Sequence, residues 1–171
     1  MFECLQSSVL TVWGVPSNQV GLALSLTHTQ TGRRLLVATT HLKARSGSLN
    51  MMMRAEQGRH LVQWINTVRQ DEDILLTGDL NAEPAEPCLD ILTSPVLNLA
   101  SSYNLRQTEF TSCKVRESGR EVKVLDYILH SPGLQTVSTL EIPQLTSLGH
   151  SLLPSPAFPS DHLSLAATIR L

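Results

Sequence analysis

Aromatic side chains are scarce, 4% of the 171 residues, and no basic stripe accompanies them. Single-stranded nucleic acids are held by aromatic stacking along a basic groove, so the composition counts against that kind of surface. Charge is thin as well: charged residues make up 16% of the chain and the formal net charge is −2. That argues against general electrostatic attachment to nucleic acid or an anionic membrane, while local basic clusters could still grip one small anionic ligand. The three cysteines, Cys4, Cys88 and Cys113, are odd in number and widely spaced. They give neither a disulfide framework nor a zinc site, and fit small buried hydrophobes in a reducing, intracellular compartment, cytoplasmic or mitochondrial. No apolar run has the length of a membrane span. Residues 1–17 contain Glu3, lack a basic start and a cleavage site, and show no tidy element, so no signal peptide is expected.

What is present is a soluble-domain composition, 42% apolar, in a chain long enough for one domain. Leu22, Leu24 and Leu26 alternate with smaller residues, a half-buried strand, and Leu35–Thr40 is a more apolar one. Thr31-Gly32 lies between them, so residues 20–40 read as a hairpin. From residue 50 to about 70 the period changes to that of a helix, with Met51, Met53, Leu61, Trp64, Ile65 and Val68 on one face. Arg54, Gln57, Arg59 and Arg69 are placed around that face, and Gly58 does not end the helix. Asp71-Glu72-Asp73 reads as a solvated turn. Ile74-Leu75-Leu76 is a short buried strand stopping at Gly78, and a short helix is expected over 87–92. Residues 98–120 look loop-like, 122–130 is a strand carrying Val122, Val124, Asp126 and Ile128 on one side, and 134–140 is another. Residues 141–160 form a long loop with Pro143, Gly149, Pro154, Pro156 and Pro159, and 163–171 closes the chain as a strand.

Polar clusters sit at the ends of these apolar strands: His41-Lys43-Arg45, Asp79-Asn81, Lys114-Arg116, Asp126 and Asp161-His162. Each has a bland account. Asp79 and Asn81 could make an Asx turn, His41 could cap a strand, the bases could be solvated, and Asp161-His162 could be a structural hydrogen bond. Asp126 stands in an apolar row, where a lone carboxylate is costly, so it needs a partner. Jointly, carboxylates, an amide, two histidines and several bases are the groups that metal-assisted phosphate-ester hydrolysis requires. Carboxylate and amide oxygens suit Mg²⁺, and lysine and arginine hold phosphate.

Gly-Asp-Leu-Asn-Ala-Glu-Pro at 78–84, Leu-Asp-Tyr-Ile at 125–128 and Pro-Ser-Asp-His at 159–162 together resemble the endonuclease/exonuclease/phosphatase superfamily. The resemblance implies the carboxy-terminal portion, residues 18–171, of a deoxyribonuclease-I-like four-layer α/β sandwich, mixed β-sheets flanked by helices. Thr-Thr-His-Leu-Lys-Ala-Arg-Ser-Gly at 39–47 narrows it to the deadenylase-like branch, and to the member that removes the 2′-phosphate from NADP⁺ and NADPH. Carried over by motif, Asp79 would position or deprotonate the attacking water and Asn81 would orient the phosphoryl group. Asp161, with Asp79, would bind Mg²⁺. His162, held by Asp126, would contact the scissile phosphate, and His41 would line the same pocket. Lys43, Arg45, Lys114 and Arg116 would grip the nucleotide's phosphates. The superfamily also places an Asn and a metal-binding Glu on earlier strands, for which this chain offers no match; Glu3 sits in no such pattern.

The resemblance therefore implies a Mg²⁺-dependent phosphatase with NADP(H) as its small-molecule substrate. One alternative keeps the fold and makes RNA the substrate, as a poly(A)-specific 3′-exoribonuclease. Another is a catalytically inactive form acting through partners in messenger-RNA decay or circadian and metabolic regulation. Exposed strand edges and half a core also predict self-association.

Overall fold

Alternating side chains over residues 2–41 build three successive antiparallel strands: β1 (Phe2–Val12), β2 (Val15–Thr27) and β3 (Arg34–His41). The computed structural model describes residues 2–116, 119–148, 153–156 and 158–171; the side chains of residues 2–4, 116 and 148 lie outside the described part. Helix α1 (Ser48–Val68) then carries the chain back across the sheet to β4 (Asp73–Asp79), which pairs parallel with β3. A crossover of that length is what a parallel pair needs. After α2 (Pro87–Leu92) come the two-residue β5 (Ala100–Ser101), the hairpin β6 (Ser112–Arg116) and β7 (Gly119–Lys123), and β8 (Asp126–His130). The last strands, β9 (Gln135–Thr139) and β10 (Ala167–Arg170), pair with each other.

The main sheet is mixed and six-stranded, in the order β1-β2-β3-β4-β8-β5. Its helix-facing side holds the core, where Leu10, Ala23, Leu36, Ala38, Ile74 and Leu76 meet Leu61, Val62 and Ile65 of α1 and Leu89 and Leu92 of α2. Cys88 of α2 is fully buried there, and burial pushes its thiol up to about 12; Cys113 is buried in a second cluster with Phe110. Both behave as small hydrophobes, as expected; the Cys4 side chain is outside the described part. Among the described residues no helix is long and apolar enough to cross a membrane.

Several elements depart from the expected ones, each for a local reason. Residues 2–12 are a strand, hidden in the sequence because Leu5 and Val9 put large apolar groups on its exposed side. In β2 the buried row is Gly21, Ala23 and Ser25, with Leu22 on the other face. Small residues are required under α1, where the Trp64 ring lies in contact range of any side chain placed at Gly21. Arg54 and Gln57 do not skirt the helix: they are 2% and 0% exposed.

The acidic turn is solvated at Asp71 but not at the two acids that follow. Glu72 is buried, accepting from Ser25 Oγ and the Gln70 N–H and pairing with Arg34, while Asp73 pairs with Arg33 at 2.5 Å. The strand expected over 122–130 is broken at Val124-Leu125, because the Thr111 hydroxyl takes the Leu125 and Asp126 N–H groups. The halves belong to different sheets. Loop-like 98–120 contains β5 and β6, the loop over 141–160 contains a 3₁₀ turn at Leu145–Leu148, and the closing strand is confined to 167–170. Gly149 lies outside the described residues.

Candidate active site

The strand pairing itself assembles the site. His41 is opposite Asp79 in the parallel β3–β4 ladder, and Asp79 is opposite Asp126 in the antiparallel β4–β8 ladder. Three polar residues thus form one row across three strand ends, on one face of the sheet. The row depends on Gly78, whose φ is +148°. A methyl there would overlap the Thr40 carbonyl oxygen of the neighbouring strand.

His162 joins the row from the loop before β10. That loop is docked by the Cys113 N–H donating to the Asp161 carbonyl (2.8 Å) and the Leu163 N–H donating to the Thr111 carbonyl (2.8 Å). The His162 Nδ1 lies 2.9 Å from Asp126 Oδ2, and the Thr111 hydroxyl donates to the same oxygen at 2.7 Å. A carboxylate accepting at Nδ1 fixes the ring tautomer and leaves Nε2 free. Nε2 points toward Ser112 Oγ at 3.4 Å and Asp79 Oδ2 at 3.9 Å. His41 Nε2 is 3.5 Å from the same Asp79 oxygen, and its side chain is largely exposed.

Asp79 is held in an environment that resists its charge. Burial raises its pKa above the usual carboxylate value; the Asn81 N–H lowers it, Asp126 raises it, and His162 and His41 lower it. The Asx turn is real, since the Asn81 N–H donates to Asp79 Oδ1 at 2.8 Å. It coexists with the site. Asn81 is not extended but left-handed (φ +49°), and its amide donates to the Leu42 carbonyl at 3.1 Å.

A cavity of about 650 Å³ opens beside this cluster, lined by the bases Arg45, Arg54, Lys114 and Lys123 and the acids Glu83, Glu86 and Glu121, together with Asn81 and Ser112. Lys123 crosses its mouth to the Ser46 hydroxyl (2.9 Å) and Glu121 (2.6 Å). Of the expected phosphate-gripping residues, Arg45 and Lys114 reach the cavity and Lys43 does not line it; the side chain of Arg116 lies outside the described part. Sequence reasoning passed over Thr111, Ser112 and Lys123, which no pattern marks. Arg54 and Gln57 could have been found, because 54, 57, 61 and 65 share one helical stripe with the buried Leu61 and Ile65.

Among the described residues, Asp79, Asp126 and His162 form a group whose ligand atoms all lie within 4.8 Å of one another. Asp161, expected to share a metal with Asp79, is outside that group and lies 3.6 Å from the Lys114 ammonium. The donor set fits a divalent cation through Asp79 and Asp126. Two carboxylates, one of them desolvated, repel each other, and a cation between them relieves both burial and repulsion.

No family model matches the chain. It is 36% identical over 189 residues to nocturnin of Drosophila melanogaster, covering 95% of this chain and 29% of that protein. It superposes on the human nocturnin catalytic domain with bound sulfate anion with a TM-score of 0.81 and 33% identity, over 99% of this chain and 59% of that one. An endonuclease/exonuclease/phosphatase from Bacteroides vulgatus gives a TM-score of 0.68 at 16% identity, over 99% of this chain and 66% of that one, and so bears on the fold alone. The chain spans less than a third of the fly relative's length. The expected fold, part of a deoxyribonuclease-I-like sandwich, is the one observed.

Proposed function

We propose, since this chain belongs to the endonuclease/exonuclease/phosphatase superfamily and within it is similar to nocturnin, that its protein removes a phosphate from a nucleotide, specifically the 2′-phosphate of NADP⁺ and NADPH. The observation that carries the reading is the row His41, Asp79, Asp126 with His162 closing it, beside a cavity bearing Arg45 and Lys114. Sulfate bound to the human nocturnin catalytic domain supports it, because sulfate has the shape and charge of a phosphate group.

Each residue then has a task. Asp79 takes the proton of the attacking water. Asn81 orients the phosphoryl group. His162, with Nδ1 tied to Asp126, offers Nε2 to the phosphoryl oxygens as their charge grows. A divalent cation such as Mg²⁺, which Asp79 and Asp126 would hold, would supply charge neutralisation and a positioned water. Arg45 and Lys114, which line the cavity, hold the remaining phosphates. The full activity belongs to a protein whose sandwich is complete, since this chain covers 59% of the human catalytic domain.

Phosphate release from NADPH, measured with Mg²⁺ and after chelation in the protein and in Asp79→Asn, tests the reading. Chelation is expected to abolish turnover, and the substitution to lower it by roughly 10²–10⁴-fold. Oligo(A) is assayed alongside. Preferential shortening of oligo(A) would replace the phosphatase by an exoribonuclease, and turnover untouched by Asp79→Asn would sink both.

A further inference from the structure

The loop that presents Lys43 and Arg45 has no regular structure of its own. It is held by two buried side chains of α1, of which Arg54, with its partner Glu86, also lines the cavity, while Gln57 does not. Arg54 donates from Nη1 to the carbonyls of Lys43 (3.1 Å) and Arg45 (2.8 Å). Its Nε and Nη2 form a bidentate pair with Glu86, at 2.9 and 2.6–2.8 Å. Gln57, one turn on, accepts the Lys43 N–H at 2.9 Å and gives its own amide to Gln19 Oε1 (2.8 Å) and Ser17 Oγ (3.2 Å). Both polar groups of the Lys43 backbone and the Arg45 carbonyl are therefore fixed by side chains that are 2% and 0% exposed. Arg45 itself is held in the left-handed region, φ +85°, a conformation a non-glycine residue keeps only when its surroundings impose it. The Arg45 side chain lines the cavity.

We infer that Arg54 and Gln57 are positioning residues: by fixing the 43–45 backbone in this conformation they aim Arg45 at a second phosphate of the ligand, and so set a preference for bisphosphorylated nucleotides over monophosphates. Every nitrogen of the Arg54 guanidinium is already engaged, and Gln57, which does not line the cavity, acts on a ligand only through the Lys43 backbone. The inference rests on the phosphatase reading for the ligand class. A purely structural account would have Arg54 and Glu86 only tie α1 to α2.

Replacing a buried ion pair by apolar groups of similar size usually keeps a fold, whereas removing one partner leaves a buried charge. The double variant Arg54→Met with Glu86→Leu therefore removes the clamp and spares the helix contact, and Gln57→Leu, which leaves the cavity wall unchanged, isolates the effect of the loop. Adenosine 2′,5′-bisphosphate and adenosine 2′-monophosphate are titrated calorimetrically into the protein, into this double variant and into Gln57→Leu, with thermal unfolding as the check on folding. The unaltered protein is expected to bind the bisphosphate at least about tenfold more tightly than the monophosphate, as a charge-assisted bidentate contact allows. In the variants that ratio is expected to collapse toward one while monophosphate affinity stays within about threefold.

A folded double variant that keeps the ratio overturns the inference. So does equal loss of both ligands, absence of any preference in the unaltered protein, or failure of the double variant to fold, which would assign the pair to structure alone. Since binding is read, a collapsing ratio in a protein that releases no phosphate from NADPH would refute the catalytic reading and leave the clamp standing.

Discussion

Asp79 shows at the scale of one residue how a site and a fold compete. Burial, the largest influence on it, and Asp126 both hold its proton on more tightly than in the unfolded chain, despite the opposing Asn81 N–H and the two histidines. A carboxyl whose folded pKa is raised favours folding below its ordinary range, and that contribution is lost as pH rises through the folded value. At neutral pH without a divalent cation, ionised Asp79 therefore works against the fold. Asp79→Asn is expected to raise the melting temperature there, and the gain should shrink as pH is lowered into the carboxylate range; calorimetric scans over that range check it. The same variant is inactive under the proposed function. A residue that costs stability and carries activity is the usual sign of a site. Gly78 makes the opposite point, since Gly78→Ala meets the Thr40 carbonyl and is expected to cost roughly 3 kcal/mol or more in urea unfolding.

At the scale of elements, the legible ones were those with a single period. The helix over 48–68, the short helix over 87–92 and the hairpin ending at His41 were in the sequence, although in β2 the leucine spacing did not mark the buried row, which is Gly21, Ala23 and Ser25. That Asp79, Asn81, Asp126 and His162 gather at strand ends was legible too, since polar residues ending apolar runs are conspicuous, whereas Asp161, expected beside Asp79, faces Lys114. What escaped was anything decided by a distant hydroxyl or a distant helix. Thr111 stands fifteen residues before Asp126, yet its hydroxyl ends one strand, begins another and holds the carboxylate that holds His162. No local pattern announces that. Thr111→Val keeps the shape and leaves two buried N–H groups without an acceptor, so about 1–3 kcal/mol of stability is expected to go, with a loss of turnover that Thr111→Ser restores. Denaturant titration and phosphate release measure the two effects.

At the scale of the whole molecule the main sheet is covered by helices on one face and open over β1 and β2 on the other. Leu5, Val9, Val20 and Leu22 are 71%, 49%, 47% and 41% exposed on the open side. A sandwich fold would lay a second sheet there, and the His41–Asp79–Asp126 row lies on the same face, at its rim. Apolar area of this kind, next to the long edge strand β1, drives association. The isolated chain is expected to sediment as oligomers. Val9→Lys with Leu22→Lys is expected to shift it toward monomer with a melting temperature changed by no more than a few degrees, because neither side chain belongs to the helix-side core.

The strand order adds a time axis to this picture. β4 lies inside the sheet, hydrogen-bonded to β3 on one side and β8 on the other, while β1 and β5 form the edges. Openings of a native protein begin where the fewest bonds must break. Deuterium should therefore enter β1 first and the middle of β4 last, so the strand that carries Asp79 stays in register while the edge strands open and close.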